Sequence, residues 1–92
     1  MKELRIVKLV DRNTLVGWFE FGEEFHSLED AYVLRRYGTT KGLPQLSEEG
    51  PQKDTDLQKV YGGICQIPAK TQALIVTFPC NEGTWTKYFK KR

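Results

Sequence analysis

Thr14–Leu28 reads TLVGWFEFGEEFHSL and predicts a strand, a tight turn and the start of a second strand. The first strand divides into two alternating sets, Leu15, Gly17, Phe19 and Phe21 in one and Val16, Trp18 and Glu20 in the other. We expect one set to face a core and the other to face out. Gly22, followed by two glutamates, is the turn signal. Because an interior glycine weakens a strand, Gly17 indicates a bend or a close backbone approach, as at the corner of a small barrel.

The sequence around this stretch predicts further antiparallel strands. Leu4–Val10 is rich in aliphatic and β-branched residues and predicts the first strand. The polar turn Asp11–Asn13 follows, and its first and last residues tolerate unusual backbone angles. The third strand is expected over Phe25–Tyr37, where the alternation slips near Glu29-Asp30 and indicates a bulge that bends the sheet.

The second half of the chain contains a long polar segment and two more strands. Gly38–Lys59 is rich in Gly, Pro, Ser and charges without an apolar period, and predicts a long flexible loop over about residues 38–59. Val60–Ile67 predicts a fourth strand with a glycine bend. Ala73–Phe78 predicts a fifth, apolar on both faces and ended by Pro79.

The C-terminal sequence predicts a helix over about residues 82–91. Asn81 is a good N-cap, and Trp85 and Phe89 at positions i and i+4 share one helix face. A helix this short is not stable in water alone, so we expect its aromatic face to pack on the sheet or on a neighbouring subunit.

Length and composition indicate one domain over residues 1–92, without a dominant charge. The net charge is +2, and 39% of the residues are apolar. No apolar run is long enough for a transmembrane helix, and MKELRIVKLV lacks the apolar core of a signal peptide. We therefore expect a cytoplasmic protein that does not associate with membranes.

The reactive side chains form no catalytic or metal-binding pattern. Cys65 and Cys80 lack CxxC spacing, and we interpret them as half-buried hydrophobic residues, with a disulfide as the alternative. His26 is the only histidine, too few ligands for a zinc site and without a nucleophile tied to it by a local motif. No phosphate-binding glycine loop is present. We expect no enzyme activity, no metal and no cofactor.

The strand pattern over roughly Leu4–Pro79 resembles the Sm-like (Lsm) fold, a small five-stranded, strongly bent antiparallel barrel of the SH3-like type. The residues that carry the resemblance are the glycine in strand two (Gly17), the run Leu28–Ala31 in strand three, and a final strand–turn–strand that ends at a proline (Pro79). It is closest to the divergent Sm-like proteins of bacteriophages and marine metagenomes, which are small and tend to carry a C-terminal helix.

This resemblance implies a homo-oligomeric ring of about six or seven copies that binds single-stranded RNA. Phe25, His26 and Lys70 align with the two RNA-contacting turns of the family. Phe25 or His26 would stack on a base, and Lys70 would pair with a phosphate. A physical argument also favours the ring, because the apolar segment ALIVTF would promote aggregation if it formed an open edge strand.

A second hypothesis follows from the departures from the family pattern. The Asp-x-x-Met-Asn signature is replaced by Glu23–His26, and the Arg-Gly after strand four is replaced by Ala69-Lys70. The chain would then be a structural or protein-interaction (adaptor) module of a phage or bacterium. In that case the 38–59 loop and the C-terminal helix would dock a protein partner.

Overall fold

One antiparallel sheet contains the six strands of residues 2–89, the part of the chain that the computed structural model describes. The strands are β1 (Glu3–Leu9), β2 (Thr14–Glu20), β3 (Phe25–Arg36), β4 (Asp56–Lys59), β5 (Ile64–Pro68) and β6 (Leu74–Pro79). Helix α1 (Gly42–Glu49) lies between β3 and β4, and a single 3-10 turn (Glu82–Thr84) follows β6. The mainly β fold is confirmed, but within these residues the sheet is not closed.

The strands are six rather than the predicted five because β3 has two partners along the same edge. Its first half pairs with β5 and its second half with β4. The predicted fourth strand, Val60–Ile67, is wrong in its first half, where the chain forms a turn. Gly62 and Gly63 have φ angles of 82° and 76°, which a strand does not allow. The sheet order is β4-β3-β2-β1-β6.

The predicted bend at Gly17 and the predicted bulge near Glu29-Asp30 are one feature of the structure. Val16 pairs with Tyr32 but Trp18 pairs with Glu29, so Gly17 stands opposite extra β3 residues. Asp30 has a φ of 53°. A Cβ at Gly17 would lie 2.7 Å from the Glu29 carbonyl oxygen, a distance that side chains do not tolerate. The bulge therefore requires glycine on the facing strand.

The prediction that one face of β2 points outward is wrong. Every residue from Thr14 to Phe19 is buried. Val16 and Trp18 belong to one apolar cluster and Leu15 and Phe19 to another, on the opposite face. The first face is covered by α1 and by the C-terminal segment, so β2 is a central strand with a core on each side.

The turn between β1 and β2 is formed differently from the prediction. The unusual backbone angle falls on Arg12, with a φ of 75°, and not on Asp11 or Asn13. Asp11 instead uses its carboxylate, which accepts a hydrogen bond from the Asn13 backbone N–H at 3.0 Å. The short side chain stabilises the turn as an Asx turn and leaves the strained position to its neighbour.

The segment over residues 38–59 is not the flexible loop that its composition predicts. It contains α1 and β4. Leu43 and Leu46 are buried one turn apart on α1 and belong to the cluster that covers β2. Gly50 ends the helix with a φ of 82° and donates a backbone hydrogen bond to the Leu46 carbonyl. Two leucines in a short helix are too few to produce a visible apolar period.

The predicted C-terminal helix is also wrong, although the predicted packing is confirmed. One 3-10 turn replaces it, capped by the Asn81 side chain, which accepts from the Gly83 N–H at 3.1 Å. Trp85 and Phe89 are buried in the same cluster as α1, and the Trp85 indole N–H donates to the Ser47 carbonyl. The last two residues of the predicted helix, 90 and 91, lie outside the described residues.

Trp85→Ala should therefore lower the free energy of unfolding by about 3–5 kcal/mol, because it empties the centre of the cluster that covers β2. Urea denaturation measures the change. The matched control is Thr86→Ala at the next, exposed position, which should change stability by less than about 0.5 kcal/mol. Equal stability of the two variants would show that the C-terminal segment does not hold the fold.

Gly17→Ala should destabilise the protein by about 1–3 kcal/mol, because the added methyl group collides with the Glu29 backbone. Gly83→Ala is the control, since its Cβ would meet only the Asn81 side chain at 3.4 Å. Thermal unfolding should separate the two, with Gly17→Ala the less stable. The opposite order would contradict the close approach at Gly17.

Candidate nucleic-acid interface

The three residues predicted to contact RNA lie at one end of the sheet. Phe25 begins β3 and pairs with Pro68, and His26 pairs with Ile67. Lys70 is exposed and lies two residues beyond β5. The Ala69 N–H donates to the Glu24 carbonyl at 2.8 Å, which holds the turn after β5 against the turn before β3. The two turns that are distant in sequence are thus adjacent.

Phe25 and His26 do not form one stacking surface. As neighbours on a strand they direct their side chains to opposite faces of the sheet. The Phe25 side chain is 49% exposed. Of these two residues, Phe25 has the aromatic face that a nucleobase can reach.

His26 packs among aromatic rings on the face of the sheet that carries Phe19. Its ring centroid lies 5.5 Å from that of Phe19 and 5.3 Å from that of Phe21. The Gly22 N–H donates to His26 Nδ1 at 3.2 Å. These contacts connect the start of β3 to the turn that leads into Phe25.

Phe21 and Arg5 are features of this end of the sheet that sequence reasoning missed. Phe21 is 59% exposed and packs edge-to-face on Phe19, with centroids 4.6 Å apart. The Arg5 guanidinium carbon lies 5.9 Å from the Phe21 centroid. Arg5 also donates to the Thr77 hydroxyl at 2.9 Å. The exposed apolar Phe21 next to the turn glycine was the only sequence signal.

The local charge limits what Lys70 can do. Glu23 and Glu24 are exposed in the turn that contacts the Lys70 turn. Exposed carboxylates on the adjacent turn lower the positive charge of this surface and so weaken its attraction for a phosphate. The arrangement therefore favours base stacking on Phe25 over phosphate pairing.

The free edges of the sheet form the second feature of interest. β6 pairs only with β1, and β5 pairs only with β3, so within residues 2–89 each has one unpaired backbone edge. Ile75 on β6 is 58% exposed and Ile64 on β5 is 65% exposed. Open edges that carry exposed aliphatic side chains are templates for pairing with another chain.

The remaining reactive groups form no centre for chemistry. Both cysteines are half-buried, as predicted, and are free thiols. Burial raises the pKa of the Cys80 thiol to about 12, so it stays protonated and unreactive at neutral pH. Within residues 2–89, no group of three His, Cys, Asp or Glu side chains could hold a metal ion. No helix of this part of the chain is long and apolar enough to cross a membrane.

The chain was compared with protein-family models, with curated proteins and with solved structures. No protein-family model, no curated protein and no solved structure matches the chain.

Proposed function

We propose that the protein is an Sm-like ring former that binds single-stranded RNA without catalysis. The observation that carries the proposal is that two of the open edge strands, β5 and β6, carry exposed isoleucines. The strand order supports it. In the resemblance to the Sm-like fold, β5 takes the place of strand four and β6 that of strand five, the two edges through which neighbouring copies would pair.

Pairing between β6 of one copy and β5 of the next would bury both edges at once. Because the two edges differ, the contact is head-to-tail, and such a contact closes into a ring when the rotation fits. A β6–β6 dimer would leave every β5 edge exposed. The ring is the arrangement that removes the most unpaired backbone and aliphatic surface from water.

RNA binding follows from the aromatic turns. Each copy would bring Phe25 to a surface that the ring repeats around its axis. Stacking on an aromatic side chain contributes about 1–3 kcal/mol per base, and repeated sites on one strand add through effective concentration. Modest stacking with little phosphate pairing in each copy is therefore sufficient in a ring.

The adaptor hypothesis has less support from the packing. The segments it assigned to partner docking direct their large apolar side chains inward, where Leu43, Leu46, Trp85 and Phe89 cover β2. Tyr61, in the turn between β4 and β5, is fully exposed and is the observation that favours a protein partner. A stoichiometric protein captured after nuclease treatment, without RNA in the untreated sample, would support the adaptor role.

Ile75→Lys should convert the ring to monomers, because a charge on the β6 edge opposes strand pairing. Light scattering should give a mass of several subunits for the unmodified chain and about one subunit for the variant. Val10→Lys is the control, since Val10 is equally exposed at 62% but lies outside β6. The Val10→Lys variant should keep the mass of several subunits. A monomeric unmodified chain at micromolar concentration would reject the ring.

Phe25→Leu should weaken the binding of a uridine-rich oligomer by about 5- to 100-fold, because leucine has no face on which a base can stack. Phe25→Tyr keeps that face and should bind like the unmodified protein. Fluorescence anisotropy with uridine-rich and adenosine-rich oligomers at two salt concentrations provides the measurement. An intact ring that binds neither oligomer at low salt would rule out the RNA function.

A further inference from the structure

A second group of aromatic and basic side chains lies away from the turns at Phe25 and Lys70. We name Tyr32, Lys59, Lys87 and Tyr88 the tyrosine–lysine patch. The two tyrosine rings meet edge-to-face, with centroids 5.4 Å apart and an interplanar angle of 76°. The Lys59 ammonium lies 6.0 Å from the Tyr32 centroid, and the Lys87 ammonium lies 5.7 Å from the Tyr88 centroid.

The fold assembles this patch from three distant parts of the chain. Tyr32 on β3 pairs with Lys59 on β4, and the C-terminal segment brings Tyr88 against them. Phe89 also contacts Tyr32 while buried in the cluster that covers β2. The two tyrosines are half-buried and therefore held in place, whereas the two lysines are exposed.

Both lysines of the patch are exposed cations. Among residues 2–89, neither Lys59 nor Lys87 forms an ion pair with a carboxylate. Three further cations, Lys90, Lys91 and Arg92, follow Phe89 directly in the sequence. This differs from the turn site, where the turn that contains Glu23 and Glu24 contacts the turn that contains Lys70.

The two surfaces are separate. Phe25 and Tyr32 lie seven positions apart on β3, about 20 Å along an extended strand, and the bulge at Asp30 bends the strand between them. A single nucleotide cannot contact both, but one single strand can pass from one surface to the other.

We propose that the tyrosine–lysine patch is a second contact surface for single-stranded RNA, with a base stacked on Tyr88 and the two ammonium groups on the flanking phosphates. Fixed aromatic rings and unpaired cations are the two components by which proteins bind single strands without reading sequence. A lysine over a single ring is ordinary surface packing. Here the rings of two such pairs are in edge-to-face contact with each other. The choice of RNA rests on the proposed function.

The test compares the salt dependence of binding to a labelled single-stranded oligouridine long enough to reach both surfaces. The Lys59→Gln/Lys87→Gln double variant should reduce the slope of log K against log salt by about 1.4, or about 0.7 for each lost phosphate contact. Lys41→Gln/Lys53→Gln removes the same charge from exposed lysines outside the patch and should leave the slope unchanged.

The stacking part of the proposal has its own pair of variants. Tyr88→Leu should weaken binding by at least about fivefold, and Tyr88→Phe should keep it. Thermal unfolding checks that both variants are folded. If Tyr88→Leu is unstable, the Lys59→Gln/Lys87→Gln variant still tests the proposal, because both lysine side chains are exposed and their replacement should not unfold the protein.

The outcomes separate this proposal from the proposed function. If both patch variants bind like the unmodified protein while Phe25→Leu loses affinity, the patch is not a contact surface and the turn site stands. If the patch variants lose affinity and Phe25→Leu does not, the patch is the binding surface and the turn site is wrong. If the unmodified protein binds no oligouridine, both are overturned. If the patch variants and Phe25→Leu all lose affinity, the result supports one RNA strand that contacts both surfaces.

Discussion

The close approach of β2 and β3 at Gly17 is the constraint on which the rest of the structure depends. Without a side chain at Gly17, the Glu29 carbonyl can come to where a Cβ would stand, and β3 can bulge at Asp30 and change direction. The bend divides β3 into a half that pairs with β5 and a half that pairs with β4. It leaves β4, β5 and β6 as strands that each have one partner and one unpaired edge within the described residues.

The face of the sheet that carries Val16 and Trp18 must be packed against other apolar residues. β2 is buried on both sides, and the second side depends on α1 and on the C-terminal segment with Trp85 at its centre. Small domains bury a limited share of their surface, so both segments are needed for stability. The packing that covers β2 also holds Tyr88 against Tyr32. The residues that stabilise the fold therefore also hold the two tyrosines of the tyrosine–lysine patch in place.

The sequence predicts the parts of this structure that are periodic. β1, β2, β3 and the bulge follow from alternation and from one interior glycine. Helix α1 could not be predicted, because only Leu43 and Leu46 mark its buried side, and β4 contributes four residues with one leucine. The adjacency of Phe25 and Lys70 followed from a family resemblance. The contact of Arg5 with Phe21 and that of Tyr32 with Tyr88 depend on strand register and on a packed terminus, which local sequence does not encode.

The central claim is that the free edges of β5 and β6 pair with neighbouring copies. Residue-resolved amide hydrogen exchange on the unmodified chain tests it most directly, because half of the β6 amides point away from β1. We expect these outward amides to be protected at high protein concentration and to lose protection on dilution. Rapid exchange of the outward β6 amides at every concentration, beside protected amides bonded to β1, would contradict it.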